Sequence, residues 1–101
     1  MKVRVSERAK YNRNKVADYI LREFGERTLS NFRQAYKDAK RFIAEHPNGG
    51  TDADYISDKR YKYQFTVING LSIMLYRIEG DIVYVVDFWD TRQQPPTIVR
   101  V

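Results

Sequence analysis

The stretch Gly70-Leu71-Ser72-Ile73-Met74-Leu75-Tyr76-Arg77-Ile78-Glu79-Gly80-Asp81-Ile82-Val83-Tyr84-Val85-Val86-Asp87-Phe88-Trp89-Asp90-Thr91-Arg92-Gln93-Gln94-Pro95-Pro96 decides the fold of this chain. Leu71 to Ile78 and Ile82 to Trp89 are runs of β-branched and aromatic residues around Glu79-Gly80-Asp81, which predicts two antiparallel strands on a tight turn. By alternation Leu71, Ile73, Leu75 and Arg77 share one face of the first strand, and Ser72, Met74, Tyr76 and Ile78 share the other. Both faces carry large apolar groups, so this strand belongs in the middle of a sheet, with helices over one face and partial cover over the other. A polar tail bearing Arg92 and stopped by Pro95-Pro96 follows directly.

Tyr61 to Ile68 reads as a further strand. Asn69-Gly70, the strongest short hairpin signal, joins it to the central one. Val3 to Val5 is a short N-terminal strand. Ser6 stands at an N-cap position before a helix from about Glu7 to Phe24, whose apolar residues Ala9, Val16, Ile20 and Phe24 recur at helical spacing. Gly25 ends that helix, with Glu26 or Thr28 opening the next, which runs to about Glu45. Leu29, Phe32, Tyr36, Ala39 and Ile43 form its packing seam. So short a connection predicts an antiparallel helical hairpin. His46-Pro47-Asn48-Gly49-Gly50 stops the second helix, and Gly49 to Asp58 reads as polar loop. The order is β-α-α-β-β-β: one α+β domain over residues 1–101, an N-terminal helical hairpin packed on a mainly antiparallel twisted sheet.

Composition narrows the function. With 43% apolar and 14% aromatic residues, a 101-residue chain can bury a core by itself. It has no cysteine, so disulfide scaffolds, thiol catalysis and cysteine zinc sites are excluded, and a reducing cytoplasm is the expected compartment. No apolar run approaches the roughly 20 residues that cross a bilayer, and the N-terminus lacks a signal peptide's apolar block. No metal-ligand cluster is visible, and no cofactor or membrane partner is expected. The net charge is +5, with twelve Lys and Arg against six Asp and Glu in residues 1–50 but six against seven in 51–101. The basic excess of the first half either steers the chain toward nucleic acid or only solvates helix faces.

The hairpin closing in Phe42-Ile43-Ala44-Glu45-His46-Pro47, the strand Tyr61-Lys62-Tyr63-Gln64-Phe65, the run Ile73 to Asp87 and the terminal Trp89-Asp90-Thr91-Arg92-Gln93-Gln94-Pro95 resemble, in order and spacing, the RelE/ParE superfamily, the plasmid stabilisation toxins of type II toxin-antitoxin systems. The resemblance covers nearly the whole chain. It implies a toxin masked by a cognate antitoxin protein, and two alternative actions. RelE-like members enter the ribosome and cut mRNA without metal as endoribonucleases; ParE-like members bind DNA gyrase and are not enzymes. A family member that only binds its antitoxin is a third reading.

RelE-like enzymes hold their cationic site residues at the start of the first meander strand, on the central strand and in the tail. The corresponding residues here are Arg60, Lys62, Arg77 and Arg92, expected to bind and polarise the scissile phosphate, with Lys59, Trp89, Asp90 and Gln93 as RNA or target contacts. Each has a structural alternative. On a strand, Arg60 and Lys62 project from one face, as a phosphate cradle or as charges protecting an edge. Arg77 is either functional or a rim charge paired with Glu79 or Asp87. Asp90 either holds Arg92 in place or neutralises it, and Trp89 is either a stacking platform or core. The chain departs from the ribosome-dependent pattern in one respect: Asp90-Thr91-Arg92-Gln93 occupies the region where a catalytic Tyr or His usually stands. The single histidine, His46, reads as a helix cap, and Tyr63, Tyr76, Tyr84, Asp87 and Asp90 are the remaining acid or base candidates.

Overall fold

The structure is a computed structural model and describes residues 1–91. Its elements are β1 (Lys2–Val5), α1 (Glu7–Phe24), α2 (Glu26–Glu45), β2 (Thr51–Asp52), β3 (Tyr63–Ile68), β4 (Ser72–Glu79) and β5 (Ile82–Asp90). They form one five-stranded sheet in the order β1-β5-β4-β3-β2. Only β1 runs parallel to its neighbour, pairing Val3 with Val83 and Val5 with Val85; the other pairs are antiparallel. The expected α+β architecture and the central position of β4 are both present.

Local chemistry sets the element ends. The Ser6 side chain accepts from the Ala9 amide at 3.0 Å, and Glu7 places its charge in the first turn of α1. Gly25, at φ 89°, is the one residue between the helices, and its amide donates to the Leu21 carbonyl. Arg13 faces Tyr36, and Leu21 shares a groove with Leu29, so the helices run antiparallel as the short connection demanded. At Asn69-Gly70 both residues take positive φ, 52° and 69°, which the hairpin turn requires and which only Gly and Asn tolerate readily.

The sheet has two cores. Between the helices and the sheet lie Ile20, Phe32 and Ile43 of the helices and Met74, Tyr76, Val83, Val85 and Phe88 of the strands, all buried. The opposite face carries a second cluster of Ala53, Ile56, Tyr63, Leu75, Val86 and Trp89. Fully burying each large apolar side chain is worth about 1.5–3 kcal/mol. A bulge in β5 serves both faces. Leu75 pairs with Asp87 but Tyr76 pairs with Val85, so Val86 is the extra residue. Val83, Val85 and Phe88 therefore reach the helical core, while Tyr84, Val86 and Trp89 join the second.

Two expectations need correction. Residues 49–58 are not all loop: Thr51 and Asp52 pair with Phe65 and Gln64 as edge strand β2. In the segment that follows, Ala53 and Ile56 are buried and cover the outer face of the sheet. The strand expected from Tyr61 begins at Tyr63, because Ser57 to Lys62 bends across the second core before entering the sheet. Since β2 lies outside it, β3 is not an edge. Arg60 and Lys62 are thus loop residues, and neither the shared strand face nor the protected edge applies to them.

Candidate functional site

Arg77 is the centre of the candidate site. In register across the sheet, Tyr63 of β3, Arg77 of β4 and Tyr84 of β5 form one row, extended by Arg4 of β1. The row lies on the face away from the helices. The Arg77 guanidinium stands 4.4 Å from the Tyr61 ring centroid and 5.5 Å from that of Tyr84, so two aromatic faces hold it. Nη1 donates to the Tyr63 hydroxyl at 3.4 Å and Nη2 to Glu79 Oε2 at 3.4 Å. Only 12% of its side chain is exposed, and its buried Nε has no hydrogen-bond partner. Of the partners expected, Glu79 is the one found; Asp87 faces the helices instead.

Tyr63 passes the connection on. Its hydroxyl donates to Asp58 Oδ2 at 2.8 Å, and Asp58 accepts from both the side chain and the backbone amide of Arg60, at 3.0 Å each. The chain Arg77–Tyr63–Asp58–Arg60 is thus a continuous hydrogen-bonded relay. Lys62 faces Asp52 at 3.8 Å, and Lys59 donates to the Asp54 carbonyl at 2.9 Å. A shallow pocket of about 150 Å³ lies between these loops, lined by Asp52, Asp58, Lys59, Tyr61, Lys62 and Tyr63.

The electrostatics move every shifted group in this relay away from neutral pH. Hydrogen bonds from the Arg60 side chain and backbone, and then from Tyr63, hold the Asp58 carboxyl well below the usual carboxylate range. Burial pushes the Tyr63 phenol up, opposed by its bond from Arg77 and reinforced by Asp58. Burial alone would lower Arg77, yet its hydrogen bond to Tyr63 and the charge of Glu79 leave it raised. Asp58 raises Arg60 in turn. The arrangement can offer an aromatic and cationic surface to a partner, but nothing in the relay is tuned to exchange a proton near pH 7.

The structure brings together Lys59, Arg60, Lys62 and Arg77, and leaves the other sequence candidates apart. Trp89 pairs in register with Ile73, toward the other end of the sheet, is 6% exposed and packs edge-on against Tyr55 at 6.4 Å. It therefore belongs to the second core, and its remaining edge lines a pocket with Asn12, Lys15, Arg22 and Asp90. Asp90 pairs with Ser72 at the same end. Arg92 and Gln93 lie outside the described residues. His46 caps α2, its amide donating to the Phe42 carbonyl at 2.7 Å and its ring near that of Phe42. Asp87 is a brace: it accepts from Asn12 Nδ2 at 2.7 Å and from the Phe88 amide at 2.8 Å, and pairs with Arg8 at 3.3 Å. Tyr76 donates to buried Gln64 at 2.9 Å. Tyr61 and Asp58, which complete the site, were not singled out by sequence. An aromatic residue next to Arg60 and an acid two before it were the available signal. Among the described residues no group of three or more His, Cys, Asp or Glu could hold a metal, and no helix is long and apolar enough to cross a membrane.

The family model for the ParE toxin of the type II toxin-antitoxin system parDE matches residues 3–95. The chain belongs to the ParE toxin family. It is thus a type II toxin-antitoxin toxin, and membership implies an antitoxin partner. A chain of the chromosomal ParDE toxin-antitoxin system from P. aeruginosa has a similar fold, with a TM-score of 0.70 at 9% identity, over 89% of this chain and 95% of that one. At that identity the likeness concerns the fold. No match is found among curated proteins. In this ParE family member, the relay around Arg77 occupies the outer face of the sheet.

Proposed function

We propose that this toxin arrests growth by binding DNA gyrase, without cutting RNA, until its antitoxin masks it. The observation that carries the reading is the closed relay Arg77–Tyr63–Asp58–Arg60. A ribonuclease needs cations free to meet a developing phosphorane charge and a group able to take a proton from the ribose hydroxyl. Arg60 and Lys62 already face Asp58 and Asp52, Arg77 faces Glu79, and the shifts at Asp58 and Tyr63 weaken one as a base and the other as an acid. The same features suit a protein contact, where a stacked arginine ringed by tyrosines is the composition of an energetic centre. Family membership supports the same choice, since ParE-like members usually inhibit gyrase. In this reading Arg77, Tyr61 and Tyr84 form the target contact, with Lys59, Arg60 and Lys62 at its rim, and the action is cytoplasmic.

The test is a supercoiling assay with purified gyrase, relaxed plasmid and the toxin, beside mapping of mRNA ends after brief induction. Inhibited supercoiling with uncut message is the expected result. Ribosome-dependent cuts in mRNA with gyrase unaffected would overturn it and restore the ribonuclease assignment of Arg60, Lys62, Arg77 and Arg92.

A further inference from the structure

On the opposite side of the molecule four cations of the helical hairpin have no such partners. The groove between α1 and α2, about 290 Å³, is lined by Arg13, Arg33, Lys37 and Lys40 and by no carboxylate. Among the described residues none of the four forms an ion pair, in contrast to Arg60, Lys62 and Arg77 on the sheet face. Tyr36 orders two of them. Arg13 stands 5.5 Å from its ring centroid and donates to its hydroxyl at 3.4 Å, and Lys40 Nζ lies 4.5 Å from the same ring. The site is thus prearranged, because two long side chains are held over one buried aromatic.

We infer that this groove binds the phosphodiester backbone of duplex DNA, giving the toxin a sequence-independent nucleic-acid contact separate from its sheet face. Spacing supports the assignment. Arg33, Lys37 and Lys40 follow one another at i, i+4 and i+7 on α2, a row about 10 Å long at roughly 1.5 Å rise per residue. Successive phosphates of one strand advance about 3.4 Å along the duplex axis while winding round it, so the row is long enough to reach more than one of them. An acidic protein segment would need apolar anchors as well as charge. None of the exposed large apolar residues lines this groove, and its own apolar floor, Phe32 and Tyr36, is buried. Above that floor stand four cations that no carboxylate interrupts, a row of charge that a phosphate backbone can meet. The inference stands apart from the gyrase reading, since either can fail without the other.

The test uses the full chain and a fluorescent 20-base-pair duplex, read by anisotropy between about 50 and 200 mM salt. Four phosphate contacts give a slope of log affinity against log salt of about −3.6, hence a loss of about two orders of magnitude across that range. The variant Arg33→Gln/Lys37→Gln/Lys40→Gln should bring the slope to about −1 and weaken binding at low salt at least tenfold, while the equally discharged Lys10→Gln/Arg22→Gln/Arg27→Gln should change affinity less than about threefold. Circular dichroism establishes that both are folded. Equal losses in the two variants would reduce the effect to net charge and overturn the inference. So would no binding at about 100 µM protein in low salt, the weak end of non-specific affinity. Displacement of the duplex by polyglutamate as effectively as by unlabelled DNA would assign the groove to an acidic protein instead.

Discussion

The guanidinium of Arg77 stands 4.4 Å from the centroid of the Tyr61 ring, although the two residues belong to different segments and Tyr61 lies outside the strand that pairs with β4. A loop residue thereby covers the central charge of the sheet. Replacing Arg77 with Ala removes both aromatic contacts and the bond to Tyr63, and should cost about 1–2 kcal/mol of stability while abolishing growth arrest. Arg77→Lys keeps the charge without the planar stacking and should leave arrest substantially weakened. Urea denaturation together with growth curves after induction separates loss of fold from loss of action. Full arrest by a folded Arg77→Ala would remove this residue from the target surface.

Asp58 carries a pH dependence. Its carboxyl is held below the usual range by Arg60 and Tyr63 in the folded chain, whereas an unfolded Asp titrates at about 3.9. The folded state therefore favours the ionised form, and the stability this contributes is present above about pH 4 and lost as the pH falls toward the folded value. Melting of wild type and Asp58→Asn should differ most near pH 6–7, with the difference shrinking progressively as the pH falls from about 4 toward the folded value. A difference independent of pH would mean that the relay does not act through the Asp58 charge.

Asp87 ties α1 to the bulge of β5 through Asn12, and pairs with Arg8. Its side chain is only 6% exposed, so Asp87→Ala leaves the Phe88 amide and Asn12 without their acceptor and should destabilise the fold by about 2–4 kcal/mol. Asn12→Ala should cost less, and the double variant should be less destabilised than the sum, because the two share one bond. Additive losses in chemical denaturation would dissolve the brace.

Gly50 approaches the sheet so closely that a Cβ there would run into the Tyr76 hydroxyl and lie 2.9 Å from the Phe65 carbonyl oxygen. Gly50→Ala should cost about 1–3 kcal/mol by overpacking. Removing the obstructing hydroxyl with Tyr76→Phe should return part of that loss, although the bond to Gln64 goes with it. Thermal melts of the three variants decide it, and a neutral Gly50→Ala would show that the loop before β2 relaxes freely.

The hairpin of helices and the β3-β4-β5 meander were legible because their signals are local. Ser6, Gly25 and Asn69-Gly70 act through their own backbone, and the apolar seams of α1 and α2 follow from helical spacing alone. Strand β2 was not legible. Thr51-Asp52 has no pattern of its own and is a strand only because Phe65 and Gln64 offer an open edge. The start of β3 was misplaced for a related reason: Tyr61 and Lys62 have strand-like composition, but the buried Ile56 and Ala53 draw their segment over the second core.

The candidate site divides in the same way. Arg60, Lys62 and Arg77 could be nominated because they stand where the family resemblance puts cationic residues, and Arg77's pairing with Glu79 lies within reach of a single strand. Which acid faces which of the other cations could not be read, because long side chains choose partners after the chain has crossed itself, as when Asp52 of β2 meets Lys62 before β3.

Taken alone, the amino-acid order determined the helices, the meander, the central strand and the face of that strand that carries Arg77, since period and turn chemistry act between near neighbours. Only the tertiary structure decided that Tyr61 and Tyr84 enclose Arg77, that Asp58 closes its relay, and that the basic hairpin groove holds four cations without an acid. Those outcomes depend on side chains far apart in the chain coming within a few ångströms, a distance that packing sets and sequence spacing does not.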